Sequence, residues 1–381
     1  MINCSNGTPR SLLGSGGWRA LCGHLACNPR RGFLKSMGAL GAAALLPSTA
    51  ALAQAPAAGS GRIDFHHHFF SPAWVRLVES KNAAKPVLGF EQFKSHTIAK
   101  DIEAMDKGNV EKAFLSVTQP GVWFGNVEET RGAARELNEF ATRQKSDYKG
   151  RFGHFAVLPL PDVDASLREI EYAFDTLKAD GVGLLSSYDD QWLGDKAFAP
   201  VWAELNRRKA VVYIHATAHN CCSWDFQPGV LPTFVELGSD LARAMVSLIQ
   251  SGTAKATPDV RYIWSHGGGS IWAQRFLVGE TAESLAREAP ADSRLHHFRR
   301  FFYDTAAAAD AIHMGILKLI VPPSQIVFGS DYPWVEPARI AAGLQASGLS
   351  AQQLQAIYRD NAFKLMPELR QPTLQADPKT T

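Results

Sequence analysis

Five side chains in this 381-residue sequence have the types and placement to hold and use a metal ion: His66, His68, His215, His266 and Asp331. The first two lie in Ile63-Asp64-Phe65-His66-His67-His68, which reads as the end of a strand. Side chains alternate faces along a strand, so His66 and His68 share one face and His67 takes the other. Two imidazoles so spaced can grip one cation, each with a ring nitrogen about 2.0–2.1 Å from a zinc ion. Alone, such a pair reads as a packed strand end. Residues 211–215 are a second apolar run, and it ends in His215. Tyr262-Ile263-Trp264-Ser265-His266 is a third, followed by three glycines that let backbone approach a ligand closely. A fourth, Val327-Phe328-Gly329-Ser330-Asp331, sets a carboxylate just past its end. Taken singly, each is explained by helix capping, and for Asp331 an N-cap is the better reading. Packing requirements alone do not explain all of them recurring at strand ends.

The elements that must carry these residues alternate short β-rich runs with longer amphipathic stretches, the pattern of parallel βα units. Strands are expected at 62–66, 112–117, 153–157, 181–185, 211–215, 261–265, 301–304 and 325–329. Helices are expected at 128–145, 163–179, 197–209, 234–251 and 306–319. Eight strands are what a closed (β/α)8 barrel needs, and there all strand ends converge on one face. The competing doubly wound sheet lacks support, because no glycine-rich dinucleotide loop follows the first strand.

Composition narrows the function classes. Residues 1–53 hold five of the chain's 39 Lys and Arg residues and none of its 37 Asp and Glu residues. The remainder, with 34 basic and 37 acidic residues, has a net charge of −3 and no electrostatic footprint for nucleic acid. Three cysteines (Cys4, Cys22, Cys27) fall in the leader; Cys221 and Cys222 are adjacent, so no disulfide framework is implied. Arg30-Arg31-Gly32-Phe33-Leu34-Lys35 precedes an uncharged Gly/Ala/Leu run ending Ala51-Leu52-Ala53. This resembles a twin-arginine export signal with a small-x-small cleavage site, although Pro29 stands where Ser or Thr is usual. The run is too weakly apolar, and too interrupted by Pro47, to span a membrane comfortably. The expected organisation is a signal peptide at 1–53, a linker at 54–60 and the barrel at 61–381, with a periplasmic destination and no permanent membrane span.

The order His-x-His, His, His, Asp resembles the amidohydrolase superfamily. More narrowly, it is similar to the branch of aminocarboxymuconate-semialdehyde, γ-resorcylate and 6-methylsalicylate decarboxylases. The resemblance spans nearly all of residues 61–366, through Ile63-Asp64-x-His66-x-His68, Gly150-Arg151-Phe152-Gly153, Leu158-Pro159-Leu160-Pro161 and Asp180-Gly181-Val182. It continues in His266-Gly267-Gly268-Gly269, Phe302-Tyr303-Asp304-Thr305 and Gly329-Ser330-Asp331-Tyr332-Pro333. The resemblance implies that His66, His68, His215 and Asp331 bind one divalent ion; Zn2+ is the first expectation and Mn2+ the alternative, since nitrogen and oxygen ligands suit both. It further implies that His266 lies just outside the ligand set as an acid/base and that Asp331 doubles as a proton donor. Dinuclear members carry a carboxylated lysine at the end of strand four; here that strand continues Leu185-Ser186-Ser187-Tyr188, so one metal is expected.

Such a site can either activate water for hydrolysis or chelate an aromatic acid for loss of CO2. Aromatic residues near the strand ends suit a flat substrate, with Trp74, Trp123, Tyr188 and Trp334 as candidate walls. Phe69, Phe70, Phe124 and Trp224 are nearby, and His219 and Asn220 are weaker polar candidates. His296, His297 and His313 fall in helical segments away from strand ends. Asp304 reads equally as a group that orients a ligand or as a helix cap. The reading is a metal-dependent decarboxylase of a hydroxylated aromatic or related unsaturated acid. The alternatives are a lactone, ester or amide hydrolase in the same barrel, and a non-catalytic binding protein, against which His266 argues. The expected partner is a small-molecule substrate, with at most a second copy of the chain as a homodimer.

Overall fold

The structure, a computed structural model, describes residues 61–82, 89–217, 235–274 and 280–370. The leader and linker, and the loop carrying His219, Asn220, Cys221, Cys222 and Trp224, lie outside the described residues.

Seven parallel strands form one sheet in sequence order. They are β1 (Arg62–His68), β2 (Val110–Ser116), β3 (Phe152–Val157), β4 (Gly181–Leu185), β5 (Val211–His215), β6 (Arg261–Trp264) and β7 (Phe302–Tyr303). The expected eighth strand is a segment with hydrogen bonds to both edges of that sheet rather than a regular ladder. Val327 N–H donates to Tyr303 O at 2.9 Å, and Ile326 bridges Tyr303. On the other side Phe65 N–H donates to Phe328 O at 3.0 Å, and Tyr332 bridges His67. These bonds close the (β/α)8 barrel.

The barrel interior is filled by Ile63, Phe65, Phe114, Phe155, Val211, Tyr213, Ile263, Phe302 and Val327. The aromatic members stack in sequence around the wall: Phe65 on Phe114 at 4.8 Å, Phe114 on Phe155 at 5.1 Å, and Phe155 on Tyr213 at 5.5 Å. Each buried ring contributes roughly 1.5–3 kcal/mol, so this layer is a firm floor beneath whatever sits at the strand ends. From the other end Ala362, Leu365 and Met366 complete the same cluster.

The helices follow the strands as expected. Asn126 caps Val127–Asp147 by accepting Glu129 N–H at 3.0 Å, with Glu128 and Glu129 in the favourable first turn. Three helices between β1 and β2 (Pro72–Asn82, Phe90–Ser95 and Ile98–Lys107) had no clear counterpart in the sequence reading. The helix expected at 306–319 is Ala311–Ile320. Its start is displaced because Asp310 accepts the N–H groups of Ile312 and His313, while Ala307 adopts a left-handed φ of 50°. Among the described residues no helix is long and apolar enough to cross a membrane.

Candidate active site

β1 does not alternate regularly up to its end. Asp64 pairs with Ala113 and His67 with Leu115, three residues against two, so one extra residue bulges the strand at 65–66. The bulge lets Phe65 face the aromatic floor while His66 also faces inward, 5.4 Å from the Tyr213 ring. Alternation then resumes. His68 is inward with His66, and His67 faces out, stacked on Tyr332 at 4.9 Å and 3.3 Å from Asp101.

The inward pair meets His215, the last residue of β5, and Asp331, just past the eighth segment. One donor atom from each of His66, His68, His215 and Asp331 lies within 4.8 Å of all the others. His66 Nε2 is 3.1 Å from His68 Nε2, and both are within 3.1 Å of Asp331 Oδ1.

The acceptors around the cage assign the imidazole tautomers. Nδ1–H of His66 donates to Asp304 Oδ2 at 2.8 Å, that of His68 to Ser116 O at 3.1 Å, and that of His215 to Ala216 O at 2.7 Å. Each pairing turns the Nε2 lone pair toward the cage. His215 Nε2 is buried without any protein partner, and a buried polar atom of that kind calls for a cation or water. These residues fit a divalent ion: three neutral imidazoles and one carboxylate, already desolvated and aimed at one point.

Charge in the cage is strongly biased. Burial works against a charged His66, yet Asp304 and Asp331 outweigh it and push the imidazole up to about 10. Burial, reinforced by the neighbouring imidazoles, holds His215 well below the usual range. Burial would raise Asp331, but His66 and His68 keep it well below the usual carboxylate range. A proton on His66 and a divalent cation would therefore compete for one lone pair, and His66, His68, His215 and Asp331 would hold the cation as the charge the two carboxylates demand.

His266 follows β6 in a left-handed turn, with φ of 52° at His266 and 59°, 87° and 63° at Gly267, Gly268 and Gly269. Its ring lies 4.9 Å from that of His66 and 5.4 Å from that of His215. Its buried Nδ1 has no partner, unlike the three pinned imidazoles, and burial lowers its pKa. Asp304, which the sequence left between two roles, does not begin a helix. Its Oδ1 accepts His266 N–H at 2.9 Å and Ala306 N–H at 3.0 Å. Asp64 was part of the β1 motif but had no assigned role. It accepts Ser330 N–H at 2.9 Å and Ser330 Oγ–H at 2.6 Å, bracing the turn at Asp331, where φ is 70°. Asp240 was missed; it holds Ser186, Ser187 and Trp192 after β4, with nothing in its own helix sequence to mark it.

The candidate walls are distributed unevenly. Trp74 is buried, donates Nε1–H to Gly121 O at 2.8 Å and packs on Phe70 and Phe93. The buried Tyr188 hydroxyl accepts Leu185 N–H at 2.9 Å. Trp123 and Trp334 are half-buried, the latter packed on Phe93. Phe69 stacks on Phe140, and Phe124 is half-buried near Lys81. His296 and His297 lie on Arg294–Arg300, and His313 is exposed on Ala311–Ile320 beside Asp310.

A family model described as amidohydrolase matches residues 63–367. The chain belongs to the amidohydrolase family. Among curated amidohydrolase relatives, the decarboxylase yanB of Aspergillus niger is 35% identical over 335 residues, covering 82% of this chain and 89% of its own. The 6-methylsalicylic acid decarboxylase acuB of Aspergillus aculeatus is 32% identical over 339 residues, covering 84% and 99%. Among solved structures, a dihydroxybenzoic acid decarboxylase from Polaromonas, with bound manganese and the inhibitor 2-nitroresorcinol, shares the fold. Its TM-score is 0.70 at 19% identity, covering 83% of this chain and 99% of that one.

Proposed function

We propose that this amidohydrolase is a metal-dependent, non-oxidative decarboxylase of a hydroxylated aromatic or related unsaturated carboxylic acid. The observation that carries the reading is the caged His66, His68, His215 and Asp331 with His266 beside it, in a chain whose relatives over most of its length are decarboxylases. His66, His68, His215 and Asp331 would hold one divalent cation, Zn2+ in preference to Mn2+, because three of the four donors are imidazoles. When bound, that ion would chelate the substrate carboxylate and an ortho hydroxyl.

The chain's own groups then account for the proton. The reaction adds a proton to the ring carbon bearing the carboxylate. The C–C bond breaks, its electron pair returns to the ring, and CO2 leaves. His266, half-buried with its ring 4.9 Å from that of His66, would carry that proton, with Asp331 as the other candidate donor. Trp123 and Trp334, both half-buried, would line the flat pocket, with the buried Trp74 and Tyr188 supporting its wall from the core. We also propose a periplasmic destination after cleavage near Ala53, supported by the paired Arg30 and Arg31 ahead of an uncharged run.

The test incubates metal-replete protein with hydroxybenzoates, including 6-methylsalicylate, and with aryl lactones, following CO2 and acid release separately. CO2 from a hydroxybenzoate supports the proposal. Acid release from lactones with no CO2 from any hydroxybenzoate would assign the chain to hydrolysis instead.

A further inference from the structure

One buried carboxylate reaches two parts of the site without facing the cage. Asp304 is fully buried just past β7, and its carboxylate accepts from four donors. Oδ2 accepts His66 Nδ1–H at 2.8 Å and Tyr213 O–H at 3.3 Å. Oδ1 accepts the backbone N–H of His266 at 2.9 Å and of Ala306 at 3.0 Å. Its own carbonyl accepts Gly267 N–H at 3.1 Å. One oxygen thus addresses the His66 ring, and the other, with the carbonyl, grips the left-handed His266–Gly267 turn.

We propose that Asp304 is a positioning residue that couples the cation cage to the proton carrier. The Oδ2 arm holds His66 in the tautomer and ring orientation that direct Nε2 at the cage, and lends the imidazole basicity. The Oδ1 arm holds His266 in a left-handed backbone conformation that is strained for a non-glycine residue, so the turn needs an external hold. The close approach that allows both arms depends on Gly329, where a Cβ would lie 2.7 Å from Asp304 Cβ and 2.8 Å from His66 Cβ. This inference rests on the proposed cage and on His266 as the proton carrier, but not on the identity of the substrate.

The two arms separate under substitution. In Asp304→Asn the side-chain oxygen stays on the two backbone N–H groups, which can only donate, and the new amide turns its N–H toward His66. His66 must then expose an unprotonated Nδ1 and carry its proton on Nε2, facing the cage. In Asp304→Ala both arms are lost. Zn2+ affinity, read by chelator competition, should fall 10–100-fold in Asp304→Asn, the usual cost of removing an outer carboxylate from a metal-bound histidine. At saturating Zn2+ Asp304→Ala, which loses both arms, should have a kcat at least tenfold below that of Asp304→Asn, which keeps the Oδ1 arm. On a His66→Ala background, Asp304→Asn should cost no additional affinity, because its effect runs through that ring.

Unchanged Zn2+ affinity in Asp304→Asn, or an additive loss on the His66→Ala background, would overturn the proposal. Should either variant fail to fold, 15N-histidine spectra of the Zn2+-loaded wild type decide. A His66 Nδ1 carrying a strongly hydrogen-bonded proton supports the proposal, and an unprotonated His66 Nδ1 refutes it. Because affinity and tautomer are read without substrate, they stand even if the chain proves to be a hydrolase.

Discussion

Replacing Gly329 by alanine inserts one methyl group at the closest seam of the barrel, and its cost follows from what surrounds it. The added Cβ would lie 2.7 Å from Asp304 Cβ, 2.8 Å from His66 Cβ and 2.9 Å from Asp304 Cγ. None of these atoms is the free end of a flexible chain, since Cβ positions follow the backbone of β1 and of the residue after β7. Relief therefore requires the eighth segment to move away from its neighbours, stretching the bonds Val327 N–H to Tyr303 O and Phe65 N–H to Phe328 O. Overpacking of this kind costs about 1–3 kcal/mol, and a weakened His66–Asp304 contact adds to it. Urea unfolding of Gly329→Ala should show an unfolding free energy lowered by an amount in that range, with weakened Zn2+ binding. The matched control is Gly132→Ala within Val127–Asp147, where a Cβ meets nothing within 4 Å. There, helix propensity predicts a gain of roughly 0.5–1 kcal/mol. A Gly329→Ala protein as stable as wild type, with wild-type Zn2+ affinity, would show that the seam is looser than described and that the site does not depend on it.

Further outcomes are expected elsewhere. His266→Asn should keep one metal per chain while lowering turnover by ~10²-fold or more, the usual scale for a lost general acid/base. If metal is lost instead, His266 is a ligand. His154 is buried without a hydrogen-bond partner for its ring, and burial chiefly lowers its pKa to about 4. A base lowered on folding stabilises the protein fully above about pH 6.5, and that contribution is lost as pH falls toward 4, by about 3 kcal/mol at most. Denaturant titrations at pH 7 and pH 4.5 should therefore show a smaller acid loss in His154→Leu than in wild type, and equal losses would refute the linkage. Changing both Arg30 and Arg31 to lysine should leave active, uncleaved precursor in the cytoplasm, and normal periplasmic delivery would mean another export route.

Most of the architecture was legible because βα units announce themselves through periodicity: strands ended close to where apolar runs met His or Asp. The convergence of His66, His68, His215 and Asp331 was legible for the same reason, since a closed barrel brings all strand ends to one rim. The β1 bulge was not, because an extra residue leaves no mark in a sequence where every position from Ile63 to His68 is plausible as strand. The alternation argument still placed His66 and His68 together because regular alternation resumes from His66 onward. Asp304 could not be assigned from sequence, since an Asp at a strand end is as good a cap as a ring acceptor. Only the spatial neighbourhood of β1, β5 and β6 distinguishes the two. The same holds for Asp64 and Asp240, whose partners lie 266 and 53–54 residues away for their serine contacts. The start of Ala311–Ile320 was misplaced because alanines at 306–309 favour helix locally, whereas Asp310 supplies the cap that decides where the helix begins.

The most direct test is a metal titration of chelator-stripped protein with a hydroxybenzoate substrate identified in the panel, following CO2 release against equivalents of Zn2+ or Mn2+ added. Activity rising linearly and reaching its plateau at one ion per chain, and abolished in His215→Ala, is the predicted result. Full CO2 release from metal-free protein, or a plateau that requires two ions per chain, would contradict the account.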